Sequence, residues 1–125
     1  MILGTCNFGQ NYNDIEINKK DSLKMVDEFY RLGGRIIDTA ANYKSHSIIK
    51  EWLKQNRGNK LKIITKVWNE DEFYRCFEEL GITKIYCIMA RENNLDIIRM
   101  LREFKNKGLI EKFGLSCYLP EEMTT

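Results

Sequence analysis

Three side chains in the first half of this chain form a reagent set for proton transfer. Asp38 closes the apolar run Arg35-Ile36-Ile37-Asp38-Thr39-Ala40, and Lys66 closes Lys62-Ile63-Ile64-Thr65-Lys66-Val67. Tyr43 follows Asp38 in the next loop. When strands run parallel their carboxyl ends emerge on one face, and the loops there carry the chemistry. Each residue also has an ordinary reading. An Asp can serve a turn, a Lys can extend its stem over apolar surface, and a Tyr can pack with its hydroxyl in water. An acid, a base and a phenol converging on one face are not a core requirement, so their order and spacing favour a site.

The elements that must position them alternate along the chain. Ile2–Phe8 reads as a first strand with an irregular, Gly-bounded end. Asp21 or Ser22 can cap a helix with apolar positions Leu23, Val26, Phe29, Tyr30 and Leu32, ended by Gly33-Gly34. Strand 35–39 leads to a helix over 45–56, strand 61–67 to a helix over 71–80, and strand 84–89 to a helix over 95–107. Gly108 stops that helix before a fifth strand over 111–116. The strands are near-continuous apolar runs, as expected when helices cover them, so the class is α/β. Pro120 and the acids after it start a further helix, and the sequence stops inside it; such a chain looks cut.

The 125 residues are 43% hydrophobic and 30% charged, which fits a single globular domain, or part of one, over 1–125. No apolar stretch approaches the ~18 residues that span a membrane, and the N-terminus lacks a signal-peptide pattern. The net charge is +2 with the cations scattered, so no concentrated basic face for nucleic acid is visible in the sequence. Four separated cysteines and one histidine predict reduced thiols, no metal site and a cytoplasmic setting. Cys6 and Cys87 fall inside expected strands. His46 is read as a solvent-exposed residue without a role. The aromatic set Phe73, Tyr74, Phe77, Tyr86 and Phe113 fits core and helix packing, as does Trp52.

With these residues in view, the chain resembles the aldo/keto reductases. Leu3-Gly4-Thr5 with Phe8-Gly9 is similar to their opening strand, and Gly34-Arg35-Ile36-Ile37-Asp38-Thr39-Ala40 with Tyr43 to the second strand and its loop. Ile64-Thr65-Lys66-Val67 resembles the third strand. Gly108-Leu109-Ile110-Glu111-Lys112-Phe113-Gly114-Leu115-Ser116 resembles the family's G-K-[IV]-[RK]-x-[IL]-G-[VL]-S stretch. The resemblance implies a (β/α)8 TIM-barrel type fold of which about the first five βα units are present.

It also implies NAD(P)H-dependent reduction of a small aldehyde or ketone, with NADP(H) as cofactor and no metal. In that reading Tyr43 is the general acid, supported by Lys66 and Asp38. A phenol near pKa 10 is a poor donor at neutral pH, a close ammonium lowers that value, and a carboxylate keeps the ammonium oriented. Asp38 and Ser116 would contact the cofactor, and Trp68 and Met89 would line the substrate pocket.

Two departures accompany the resemblance. The family's fourth-strand His is absent, and its position falls on Met89 in one register or on Arg91 in another. Ser116 is followed by Cys117 where the family has Asn. A thioether cannot donate a hydrogen bond to a carbonyl oxygen. The alternative reading is a non-catalytic remnant or a binding module derived from the barrel. If 125 residues are the whole product, open strand edges predict an oligomer or a complementing chain.

Overall fold

The structure, a computed structural model, describes residues 1–11, 14–41, 44–90 and 95–115. Tyr43, Arg91, Ser116, Cys117 and the helix start at Pro120 lie outside the described residues. Within them the chain runs β1 (Ile2–Gly4), α1 (Lys19–Arg31), β2 (Ile36–Asp38), α2 (Ser45–Gln55), β3 (Lys62–Val67), α3 (Glu70–Leu80), β4 (Ile85–Ala90), α4 (Leu95–Asn106) and β5 (Ile110–Leu115). All neighbouring pairs are parallel, and the strand order is β1-β2-β3-β4-β5. Sequential parallel strands joined by helical crossovers are the repeating unit of a (β/α)8 barrel, five strands of which are present here.

Alternation along the strands assigns the two faces. Ile37, Ile63, Val67, Ile88 and Ala90 are buried in the core, which the helices cover. Cross-strand register aligns Asp38 with Ile64, Ile64 with Cys87, and Lys66 with Met89, so these residues share the opposite face. Trp52 on α2 is 2% exposed and packs on Tyr30 of α1 with ring centroids 5.4 Å apart. Its indole Nε1 donates to Asp27 Oδ1 at 2.6 Å, so the one polar atom of that large ring is satisfied. Phe73 of α3 meets Phe104 of α4 edge to face at 4.4 Å.

Three local expectations are corrected. The α1 cap is Asn18, not Asp21 or Ser22: Asn18 Oδ1 accepts from Asp21 N at 2.8 Å. Ser22 lies inside the helix and donates back to Asn18 O at 2.8 Å, a bond that serves a buried hydroxyl rather than a helix end. The first strand stops at Gly4 instead of reaching Phe8. The chain turns there, with Phe8 N bonded to Thr5 O at 3.0 Å, and this drives the Phe8 ring into the core at 1% exposure. Cys6 therefore sits half-buried in a turn and not in a strand. Tyr74 is 55% exposed, so of the five aromatics it is the one turned away from the core.

Gly33-Gly34 ends α1 for two distinct reasons. Gly33 takes φ +98°, a conformation open to glycine, whereas a Cβ on Gly34 would stand 2.4 Å from the Phe29 ring. No helix among the described residues is long and apolar enough to cross a membrane.

Candidate active site

The carboxyl ends of β2 and β3 bring two of the three expected reagents together. Lys66 Nζ donates to Asp38 Oδ1 at 2.6 Å, with the Lys66 side chain 19% exposed and Asp38 42% exposed. The backbone beneath this pair is held from both sides. Thr5 bonds Asp38 O through its N–H at 3.2 Å and its hydroxyl at 3.0 Å. Beyond it, Thr39 N donates to Ile64 O at 2.8 Å, and Ala41 N to Lys66 O at 2.9 Å. Lys44 N, on the far side of the two-residue connection that includes Tyr43, donates to Gln10 Oε1 at 2.9 Å. The segments flanking Tyr43 are thus tied beside Lys66 and to the β1–α1 connection.

Met89 is the Lys66 partner in the β4 register, so it stands on the same face as the ion pair. Gly114 of β5 makes room for it: a Cβ there would meet Met89 Sδ at 3.1 Å and Cε at 3.3 Å. Cys87 Sγ lies 3.9 Å from Met89 Sδ. Burial raises the Cys87 thiol above its ordinary value, with Asp38 adding to the rise and the Lys112 and Lys66 charges opposing it. The thiol is therefore protonated at neutral pH, and the face around Lys66 combines one ion pair with two soft, neutral sulfur side chains.

Trp68 follows β3 by one residue and is half-buried. Its backbone N donates to Glu72 Oε1 at 2.5 Å, while Glu72 N donates to Asn69 Oδ1 at 2.9 Å. With Asn69 as the N-cap, these two bonds start α3 immediately after the strand and fix where Trp68 leaves the sheet.

His46 is the residue whose environment the sequence reading missed. It is 2% exposed, not at the surface. Nδ1 lies 2.9 Å from Glu79 Oε1, and Nε2 lies 2.9 Å from Thr65 Oγ1. A carboxylate only accepts, so Nδ1 carries the proton, and neutral Nε2 accepts from the Thr65 hydroxyl. Burial lowers the His46 value from the ordinary one, partly offset by the Glu79 hydrogen bond and charge. Its place three residues before Ile49 and seven before Leu53 put it on the inner stripe of α2, and that periodicity was the available signal. The network lies on the helix side of β3, away from Lys66. Among the described residues no group of three or more His, Cys, Asp or Glu side chains is gathered to hold a metal.

The comparisons agree with this geometry. The model of the aldo/keto reductase family matches residues 1–86. The chain belongs to the aldo/keto reductase family. The Saccharomyces cerevisiae protein named "Putative aryl-alcohol dehydrogenase AAD6" is 31% identical over 80 residues, which cover 59% of this chain and 38% of that protein. Among solved structures, PA4992 of Pseudomonas aeruginosa, named a "putative aldo-keto reductase", matches at TM-score 0.77 and 25% identity, over 93% of this chain and 54% of that one. An aldo-keto reductase from Klebsiella pneumoniae in complex with NADPH has the same fold at TM-score 0.77 and 16% identity, over 98% of this chain and 47% of that one. The chain thus spans about half the length of the aldo-keto reductase structures it matches.

Proposed function

We propose that this chain carries the proton-transfer half of an NAD(P)H-dependent carbonyl reductase site, with a small aldehyde or ketone as substrate. The observation that supports it is the Lys66–Asp38 ion pair at the strand ends, beside the anchored segments that flank Tyr43. Asp38 holds the Lys66 ammonium in place. An ammonium close to a phenol favours the phenolate, so a Tyr43 hydroxyl held beside Lys66 would be a better donor near neutral pH. Tyr43 then delivers its proton to the carbonyl oxygen. The reduced nicotinamide, when bound, supplies the hydride.

The described residues fit part of a cofactor site. Asp38 Oδ2 makes no hydrogen bond among the described residues and is open to a hydroxyl donor, while Oδ1 is taken by Lys66. Ser116 would add a second polar contact, and Trp68 and Met89 would bound the substrate. NADPH is the expected form, since it is bound in the Klebsiella pneumoniae enzyme of the same fold.

The test is NADPH oxidation by the protein across aliphatic and aromatic aldehydes, comparing the natural chain with Tyr43→Phe. Loss of the proton donor should lower kcat by ~10²–10⁴-fold. Undiminished turnover in that variant removes Tyr43 from the mechanism. A specific observation favours a second reading, in which the site binds but does not reduce: Met89, packed over Gly114, offers no donor to a carbonyl oxygen. NADPH binding without turnover on any aldehyde would select that reading.

A further inference from the structure

The fold gathers charge at the end of the strands opposite Lys66. A cavity of about 770 Å³ lies among the amino ends of β3, β4 and β5, and five cations line it: Lys50, Lys54, Arg57, Lys62 and Lys84, against the single carboxylate of Glu111. Among the described residues none of the five cations enters an ion pair, although seven pairs form elsewhere among them. Residues up to 34 positions apart in sequence, the difference between 84 and 50, thus converge as unneutralised charge around one concavity.

Helix ends explain only part of this. α2, α3 and α4 all finish on this side, at Gln55, Leu80 and Asn106. Each carboxyl terminus presents roughly half a negative charge, screened by solvent, so three of them and Glu111 leave the set of five cations in excess. The cavity floor includes Ile85 and Ile110, which are 1% and 2% exposed. Low-dielectric walls under one sign of charge focus the field into the opening.

Two contacts aim the side chains. The Lys50 stem lies over Gly81, where a Cβ would stand 3.0 Å from Lys50 Cγ and 3.1 Å from Cε. Gly81 has φ +67° as the α3 cap, so one glycine both ends the helix and leaves the groove that carries Lys50. Lys62 Nζ sits 5.0 Å from the Tyr86 ring centroid, and Lys112 Nζ approaches the same ring at 5.5 Å.

We propose that this concavity is a binding site for a compact multivalent anion of the polyphosphate class, separate from the reductase end. Its volume lies within the roughly 300–1,000 Å³ of small-ligand sites. Lysine ammoniums are compact point charges suited to clustered phosphate oxygens. A single-stranded nucleic acid is less well served, because the face of Tyr86, the aromatic ring lining the cavity, already carries the Lys62 ammonium and does not offer a free stacking platform.

The experiment titrates the protein with inorganic tripolyphosphate, inorganic phosphate and a single-stranded oligonucleotide, by calorimetry and by amide chemical-shift mapping. Tripolyphosphate should bind one to one, at least tenfold tighter than phosphate, with shifts centred on Lys62, Lys84 and Gly108. Lys62→Glu with Lys84→Glu should weaken it at least tenfold. The control Lys20→Glu with Lys24→Glu makes the same change in net charge on the exposed side of α1 and should leave it within twofold. Equal weakening by both pairs would reduce the effect to net charge and overturn the site. So would tripolyphosphate binding no tighter than phosphate, shifts centred on Lys66, or preference for the oligonucleotide.

Discussion

Thr65 and Lys66 are adjacent in sequence and serve opposite faces of β3. Lys66 turns to the strand-end face, pairs with Asp38 and stays partly open to solvent. Thr65 turns under the helices, is fully buried, and gives its hydroxyl to His46, whose other nitrogen meets Glu79. Both arrangements are polar and both cross between elements. They differ in access: a ligand can reach the first, while the second is closed by α2 and α3. A polar cluster that solvent reaches can do chemistry on a ligand, whereas one sealed in the core fixes how elements pack.

The sharpest break of this comparison is Lys66→Met. If Lys66 acts on Tyr43 as proposed, this substitution should lower carbonyl reduction by ~10²-fold or more by removing that charge. Its effect on folding should stay within about 1 kcal/mol, because a partly exposed ion pair contributes little to stability. Paired steady-state kinetics and urea melts would show it, and a large stability loss with normal turnover would reverse the assignment of the two faces. Thr65→Val should do the opposite. Leaving His46 Nε2 buried without its donor should cost ~1–3 kcal/mol of stability with kcat little changed.

Met89→His sharpens the reading of the strand-end face. An imidazole aligned with Lys66 can donate to a carbonyl oxygen, so reduction should rise about tenfold, worth ~1.4 kcal/mol in the barrier. An unchanged or lower rate would place the missing donor elsewhere, or assign this face to binding alone. The smallest effect belongs to the closed cluster and reads out as pH dependence. Because burial lowers the His46 value, the unfolded chain binds more protons than the native one below about pH 6.5. The stability held above that pH is therefore lost progressively as pH falls toward the lowered native value. His46→Gln keeps a neutral polar group and should flatten the change in Tm between roughly pH 7.5 and pH 5.5 relative to the natural chain. Parallel curves for the two proteins would show that His46 does not titrate in this way.

Much of the fold was legible from local pattern. Each crossover helix was marked by apolar residues at helical spacing, as in Ile97, Leu101 and Phe104, which are all buried. The strand boundaries after the first agreed to within a residue or two for the same reason. The early end of the first strand was not legible because nothing local in Thr5 to Phe8 marks the turn, while the burial of Phe8 that accompanies it comes from packing in the core. The α1 cap failed because Asn18, Asp21 and Ser22 are all capable caps, and the choice depends on where the helix meets the core.

The site divides along the same line. The sequence by itself determined that Asp38 and Lys66 end consecutive parallel strands, since strand period and polar termination are properties of a few neighbouring residues. It also determined the family, through motifs in order. Only the tertiary structure decided that these two residues touch, that His46 is sealed between Thr65 and Glu79, and that five scattered cations meet around one cavity. Those partners are separated in sequence by 28, 33 and up to 34 positions within single contacts or a cavity wall, the last being 84 minus 50. Periodicity says which way a side chain faces along its own element. What it faces is set by crossovers that return the chain to the sheet, and by the packing that stops them there.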